Sequence, residues 1–312
     1  MLKYLIILLD DTSVSYCHYG NMKTERRLMP PETLRAGILF GMKENLNIQF
    51  VYPEYELPHE YKEIIDSIDH TDIKPVSAKG KTDVAVADGT AMLAKAEIMQ
   101  DTSYVLRTDK TDLFASVPAV CGIMERTDRL NIVVTDIETF TEEDFRNYRM
   151  VLKDLSEKLA ELYVAGKSPQ LNLLTDRMML SEMNNCGAGD TSIALAPDGR
   201  FYVCPAFYHM EEGMSAGDPE HGPDIRNPQL YRIGHAPLCR NCDAYQCRRC
   251  VWLNRKMTYE VNTPSHEQCV AAHLERNASR ELLEEIRKHG TFLPDSEIKE
   301  ISYLDPFDIK EE

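Results

Sequence analysis

Cys239-Arg240-Asn241-Cys242-Asp243-Ala244-Tyr245-Gln246-Cys247-Arg248-Arg249-Cys250 sets four cysteines at C-x2-C-x4-C-x2-C. Cys186 and Cys204 precede this run and Cys269 follows it, so seven of the chain's nine cysteines form one ordered array in the C-terminal half. Thiolates bind soft metals, and a C-x2-C pair can grip one metal from a single tight turn. Two such pairs with outliers on both sides imply two sulfur-ligated sites sharing one small subdomain.

The bulk numbers bound the partners. At 312 residues the chain holds one large domain or two smaller ones with full cores. A net charge of -16 argues against nucleic acid, which needs a basic face to displace counterions, and against anionic membranes. The apolar run at 4–9 is far short of the ~20 residues of a membrane span. It lacks the basic flank and cleavage site of a signal peptide, and Asp10-Asp11 ends it. The expected location is cytoplasmic, where thiols stay reduced, so metal ligation is favoured over disulfides.

Residues 3–9 form a continuous apolar run suited to a strand buried on both faces. Pro30-Pro31 opens a helix over 32–44, since proline suits a first turn. Further strands are expected at 48–51, 82–87, 104–106, 130–137 and 171–174, with helices at 60–68 and 111–125. Pro118 must kink or interrupt the second of these. Thr141-Glu142-Glu143-Asp144 is a capping-box start for an amphipathic helix reaching about residue 164. The expected class is α/β: a partial (β/α) barrel of about five or six parallel strands over 1–180. A Cys-rich domain is expected at 181–275, then a C-terminal helix and acidic tail at 276–312. Ile193 to Val203 reads as a hairpin turning at Pro197-Asp198-Gly199, where a two-residue turn wants a positive φ from glycine. Residues 211–227, rich in glycine, proline and acids, read as an exposed loop, and 266–289 as a helix stopped by Gly290. The acidic end at 305–312 is expected to fray.

Cys186-Gly187-Ala188-Gly189, followed by Pro197-Asp198-Gly199-Arg200-Phe201-Tyr202-Val203-Cys204-Pro205, resembles the hairpin of the SPASM domain. That module carries auxiliary clusters on many radical S-adenosylmethionine enzymes that modify peptides. The later C-x2-C-x4-C-x2-C is one residue shorter in two gaps than the common form. The resemblance implies two 4Fe–4S clusters. Cys239, Cys242, Cys247 and Cys269 would ligate one, and Cys186, Cys204 and Cys250 the other. The cysteine that usually completes the latter set is missing from 176–185. One iron would be open, or held by an oxygen ligand such as Asp176 or Glu182. Two structural zinc sites, or one zinc and spare thiols, are the alternative. Zinc ribbons, however, put about 15–20 residues between their CxxC pairs, and only four separate Cys242 from Cys247. Arg240, Arg248, Arg249, Arg255 and Lys256 are expected to offset thiolate charge, and Trp252 to pack over the metal subdomain.

The first half lacks what a radical enzyme of this kind needs. Its C-x3-C-x2-C motif would fall on Asp10, Val14 and Cys17, so only the third place holds a thiol. Tyr52-Pro53-Glu54 stands where the family has Gly-Gly-Glu to meet the cofactor. S-adenosylmethionine is therefore not expected. The opening Leu8-Leu9-Asp10-Asp11-Thr12-Ser13-Val14-Ser15-Tyr16-Cys17-His18-Tyr19 resembles the CXXX repeat peptide maturase family. That resemblance implies maturation of a small Cys-containing precursor peptide. The clusters would bind its thiols or pass electrons, and a radical enzyme is a further candidate partner.

Cys17, His18 and Glu54, with Asp10 and Asp11, are the candidates for a small catalytic or mononuclear metal site in the first half. The alternative is a vestigial loop with a half-buried cysteine. His209, His221 and His235 are candidate replacement ligands in loops, and Cys121 is expected in the core. The second functional class is a non-catalytic scaffold or partner subunit with structural zinc or iron–sulfur sites.

Overall fold

The computed structural model describes residues 1–210 and 214–300. Seven strands succeed one another through the first half: β1 (Tyr4–Leu8), β2 (Asn47–Val51), β3 (Thr71–Pro75), β4 (Val84–Asp88), β5 (Ser103–Thr108), β6 (Arg129–Val134) and β7 (Gln170–Leu171). Each pairs in parallel with the next. The hairpin β8 (Ser192–Leu195) and β9 (Phe201–Tyr202) joins the same sheet, with β8 parallel to β1 and β9 antiparallel to β8. The order is β7-β6-β5-β4-β3-β2-β1-β8-β9, open at β7 and β9.

The α/β class with a largely parallel sheet stands, with more strands than the expected five or six. β3 is the strand the pattern does not announce, because two of its five residues are Asp72 and Lys74. It is tolerated there because the Asp72 carboxylate meets Lys74 and, at 3.3 Å, His70. In β1 the continuous apolar run serves both faces. Leu5, Ile7 and Leu9 join Leu34, Ile38 and Phe50 in one core, while Ile6 and Leu8 join Val51, Leu106 and Ile132 in the other.

The helices are α1 (Pro31–Lys43), α2 (His59–Ile65), α3 (Thr90–Lys95), α4 (Lys110–Ala115), α5 (Val117–Met124), α6 (Glu142–Val164), α7 (Thr175–Met179), α8 (Pro205–His209), α9 (Val251–Thr258) and α10 (His266–Arg287). The single helix expected at 111–125 is two, α4 and α5. Pro118 falls in the first turn of α5, where its missing N–H costs nothing. The capping box at α6 is formed: Thr141 Oγ1 accepts from Asp144 N at 3.3 Å, and Asp144 Oδ2 from Thr141 N at 2.8 Å. No described helix is long and apolar enough to cross a membrane. The described part of the expected loop at 211–227 carries a small antiparallel ribbon, β10 (Gly217–Asp218) with β11 (Gly222–Pro223). Residues 211–213 and the acidic end at 305–312 lie outside the described residues.

The β8–β9 turn is one residue longer than a two-residue turn. Gly199 N–H donates to Ala196 O and Ala196 N–H to Arg200 O, both at 3.0 Å, so Pro197, Asp198 and Gly199 form the loop. Glycine is still required, at a φ of +79°. A second glycine fixes the start of the cysteine array. Gly189 has a φ of +76°, and a Cβ there would stand 2.6 Å from the Tyr231 ring. Gly189→Ala is expected to cost about 2 kcal/mol or more, from strain plus overpacking. Urea unfolding midpoints check this; an unchanged midpoint would contradict the close seat of Tyr231 on this turn.

Candidate functional site

The loop that follows β1 is tied down along its length by polar contacts. Asp10 is fully buried. Its Oδ1 accepts from Thr12 N at 2.8 Å and Thr12 Oγ1 at 2.6 Å, and its Oδ2 from Tyr55 OH at 2.7 Å. Asp11 accepts from Tyr208 OH on α8 and pairs with Arg27 Nε at 3.1 Å. Val14 N–H donates to Tyr52 O at 3.0 Å. The loop then meets the ends of β5 and β6. Arg107 on β5 donates from Nε to Cys17 O at 2.9 Å and from Nη2 to Tyr19 O at 2.8 Å. His18 Nδ1 donates to Val134 O at 2.9 Å. Arg107 also pairs with Asp88. Nothing in the local sequence marks this arginine, because the loop carbonyls it binds lie about ninety residues upstream.

Of the first-half candidates, Cys17 and His18 face the C-terminal module and Glu54 does not. Glu54 is exposed in a groove it shares with Tyr52, Tyr55, Lys62 and Lys74. His18 lines a small cavity of about 90 Å³ with Cys247, Arg248, Arg249, Cys250 and Glu275. Burial lowers the His18 pKa, which favours the neutral ring.

Seven thiols gather into two groups. The first holds Cys17, Cys186, Cys204 and Cys250. Cys186 N–H donates to Arg248 O at 3.3 Å, which ties the two halves of the array together. Cys204 and Cys250 stand at the N-caps of α8 and α9, and Cys250 Sγ accepts from Leu253 N at 3.5 Å. Burial pushes the Cys17 thiol up to about 12, and charge on Cys186 pushes it the same way, while Arg248 and Arg107 pull it back. Cys204 is raised well above the usual thiol range by burial, then by Cys250, Cys186 and Cys17. Cys250 is raised by burial, then by Cys186 and Cys17. Cys186 keeps an exposed edge, yet the protein around its thiol still desolvates it and raises its pKa. These four thiols act on one another, and no carboxylate ranks among the groups acting on them.

The second group holds Cys239, Cys242 and Cys247. Burial brings Cys239 up to about 11, with Arg249 lowering it and Cys242 raising it. Burial brings Cys247 up to about 12, helped by Cys239, Glu275 and Cys242. His273 of α10 is a member that sequence reasoning missed, with Nε2 3.4 Å from Cys242 Sγ. The available signal was the spacing of Cys269 and His273, one helical turn apart and so on one face of α10. Asp243 clamps the run to its surroundings. It accepts from Arg276 Nη2 at 2.7 Å and from Arg177 Nη2 at 3.3 Å.

Arg249 lines the same cavity as Cys247 and Cys250. It is 1% exposed, and its backbone is held at a φ of +41°. Its Nη2 donates to Tyr231 O, but its Nε and Nη1 have no hydrogen-bond partner. Burial lowers its pKa, and charge on Cys239, Cys186 and Cys247, then Asp190, raises it.

The other candidates are placed elsewhere. Asp176 is held by Arg129, with Arg129 Nη2 2.8 Å from Asp176 Oδ2, and Glu182 is exposed. His221 is exposed and bonds Asp218 at 3.0 Å, and His235 is exposed. His209 is buried, stacks on Tyr19 at 5.6 Å between ring centroids, and is held neutral by burial with a pKa of about 4. Cys121 is half-buried on α5, and Trp252 is buried in the core with Lys256 Nζ 5.3 Å above its ring. Among the described residues no group of three or more His, Cys, Asp or Glu side chains is arranged to hold a metal ion.

Comparison with solved structures places this fold. The structure of anSMEcpe with bound AdoMet matches with a TM-score of 0.61 over 92% of this chain and 96% of that chain, at 11% identity. The structure of native anSMEcpe with bound AdoMet and Cp18Cys peptide also reaches 0.61, at 10% identity, over 92% of this chain and 100% of that chain. SuiB from Streptococcus suis, bound to S-adenosylmethionine, matches more loosely: TM-score 0.41 and 14% identity over 85% and 74% of the two chains. No protein-family model matches the sequence, and no curated protein does. The fold is therefore shared with anSMEcpe.

Proposed function

We propose that this chain matures a small Cys-containing ribosomal precursor peptide, using two SPASM-type 4Fe–4S clusters for substrate binding or electron transfer and no radical S-adenosylmethionine chemistry. The observation that carries the reading is the gathering of six of the seven proposed ligand thiols into two groups beside one buried arginine, on a fold shared with anSMEcpe. The donor set fits clusters in kind, being soft thiols with a buried cation to balance them. A cubane binds each thiolate at a different iron, so it does not require the tight shell of a single ion. Cys186, Cys204 and Cys250 would hold the first cluster. Cys239, Cys242, Cys247 and Cys269 would hold the second. Bound there, the clusters supply one-electron transfer at a potential set by burial and hydrogen bonds.

The radical cluster does not fit the loop after β1. Asp10 and Val14 offer no thiol at two of its three places, and the Asp10 carboxylate is already engaged by Thr12 and Tyr55. Tyr52 and Pro53 replace the glycines that would approach the cofactor. A peptide partner is supported by the matching structure that holds one, Cp18Cys.

The test uses anaerobically purified full-length protein and a synthetic peptide of repeated Cys-x-x-x units. The loaded protein is expected to change the mass of this peptide, and protein stripped by chelation is expected to leave it unchanged. With S-adenosylmethionine and dithionite no 5′-deoxyadenosine is expected. Cleavage of S-adenosylmethionine would overturn the chemistry, and an equal mass change with stripped protein would overturn the role of the clusters. Peptide mass measured with and without an active radical enzyme separates maturation by this chain from a scaffold role.

A further inference from the structure

We infer that Cys17 is the fourth thiolate of the first cluster, completing the set Cys186, Cys204 and Cys250. The inference rests on the iron–sulfur reading above. Three observations place Cys17 there. Its carbonyl is fixed to Arg107 Nε at 2.9 Å, and Arg107 also holds Tyr19 O, so the segment from Cys17 to Tyr19 is pinned at both ends. The next residue, His18, lines the same 90 Å³ cavity as Cys250 and Arg248. The one after it, Tyr19, stacks at 5.6 Å on His209, which ends the short helix that Cys204 caps. The two residues that follow Cys17 thus reach the Cys250 end and the Cys204 end of the module.

Cys17, Cys204 and Cys250 also pack, half-buried, against one and the same core. The rival fourth ligands are spent or remote. Asp176 is bound by Arg129, Glu182 is exposed, and neither ranks among the groups acting on these thiols.

The chemistry has two consequences. A cluster held by four thiolates has no open iron, so this cluster transfers electrons and does not capture a peptide thiol. It also bolts the loop after β1 to the C-terminal module, through a cysteine 169 residues before Cys186.

The experiment compares native protein with Cys17→Ser, Cys17→Ala and Cys121→Ser, all purified anaerobically. Iron, sulfide and the electron paramagnetic resonance spectrum are read for each. Native protein is expected to hold about eight irons with matching sulfide. Both Cys17 variants are expected to lose up to half of the iron, or to show a three-iron signal when oxidised. Cys121→Ser is expected to match native protein. In parallel, alkylation mapped by mass spectrometry on native protein should spare Cys17 with Cys186, Cys204 and Cys250 until the metal is chelated. That arm decides the matter if the Cys17 variants are insoluble. Native spectra and iron content in Cys17→Ser, or alkylation of Cys17 while Cys186 stays protected, would overturn the inference and leave the iron–sulfur reading intact. Zinc without sulfide in native protein would overturn both.

Discussion

Arg249→Met is expected to destabilise the cluster-loaded protein and to leave the metal-free protein unchanged or more stable. The sign reversal follows from what surrounds the guanidinium. It is 1% exposed, has two nitrogens without hydrogen-bond partners, and takes its leading charge partners from Cys239, Cys186 and Cys247. With clusters bound, those thiolates are anionic, and removing a buried charge from its partner costs about 3–5 kcal/mol. Without metal the thiols are neutral, because burial drives Cys239 to about 11 and Cys247 to about 12. The arginine is then a buried cation short of an anion, and an apolar replacement of similar size is neutral or stabilising by about 1–4 kcal/mol. The positive φ and the lost bond to Tyr231 O are common to both states and cancel in the comparison. Denaturation midpoints of native and variant protein, each loaded and chelated, read the result. A variant equally destabilised in both forms would mean that Arg249 serves packing alone.

Glu275→Gln is expected to remove a pH dependence between about 5.5 and 8.5. Burial raises the Glu275 carboxyl to about 7, against hydrogen bonds from Tyr148 and Gln246 that act to lower it. Tyr148 OH donates to its Oε1 at 2.7 Å, joining α6 to α10. The raised value means that the folded protein holds a proton the unfolded chain releases near pH 4.5. The associated stability is complete below pH 4.5 and is lost as the pH rises through 7. At about 1.4 kcal/mol per pH unit, the whole loss is about 3 kcal/mol. Native protein should therefore weaken on going from pH 5.5 to 8.5. The glutamine variant, neutral throughout and still able to accept from Tyr148, should not share this trend. Parallel profiles for the two proteins would show that Glu275 ionises as it does in the unfolded chain.

Residues close in sequence determined much of this molecule. The apolar run of β1, the capping box at Thr141, the turn at Gly199 and the spacing of the cysteines all act within a few positions, where period and turn chemistry are legible. The SPASM and maturase resemblances rest on the same local motifs. Where tertiary contacts repair a weak local pattern, the sequence is silent. β3 carries two charged residues, and only the partners brought by folding make Asp72 acceptable in a strand.

The site depends on contacts between distant residues. No spacing links His18 to Cys250, or His273 to Cys242, or Tyr19 to His209. Those neighbours exist because β8 pairs with β1, from Tyr4 opposite Ser192 to Ile7 opposite Leu195. This register lays the cysteine hairpin beside the strand whose following loop carries Cys17. α10 brings His273 and Glu275 against the C-x2-C run. The sequence by itself determined which donors the protein owns. Only the tertiary structure decided which of them meet, because strand register and helix packing are set by the burial of two whole cores and not by any short motif.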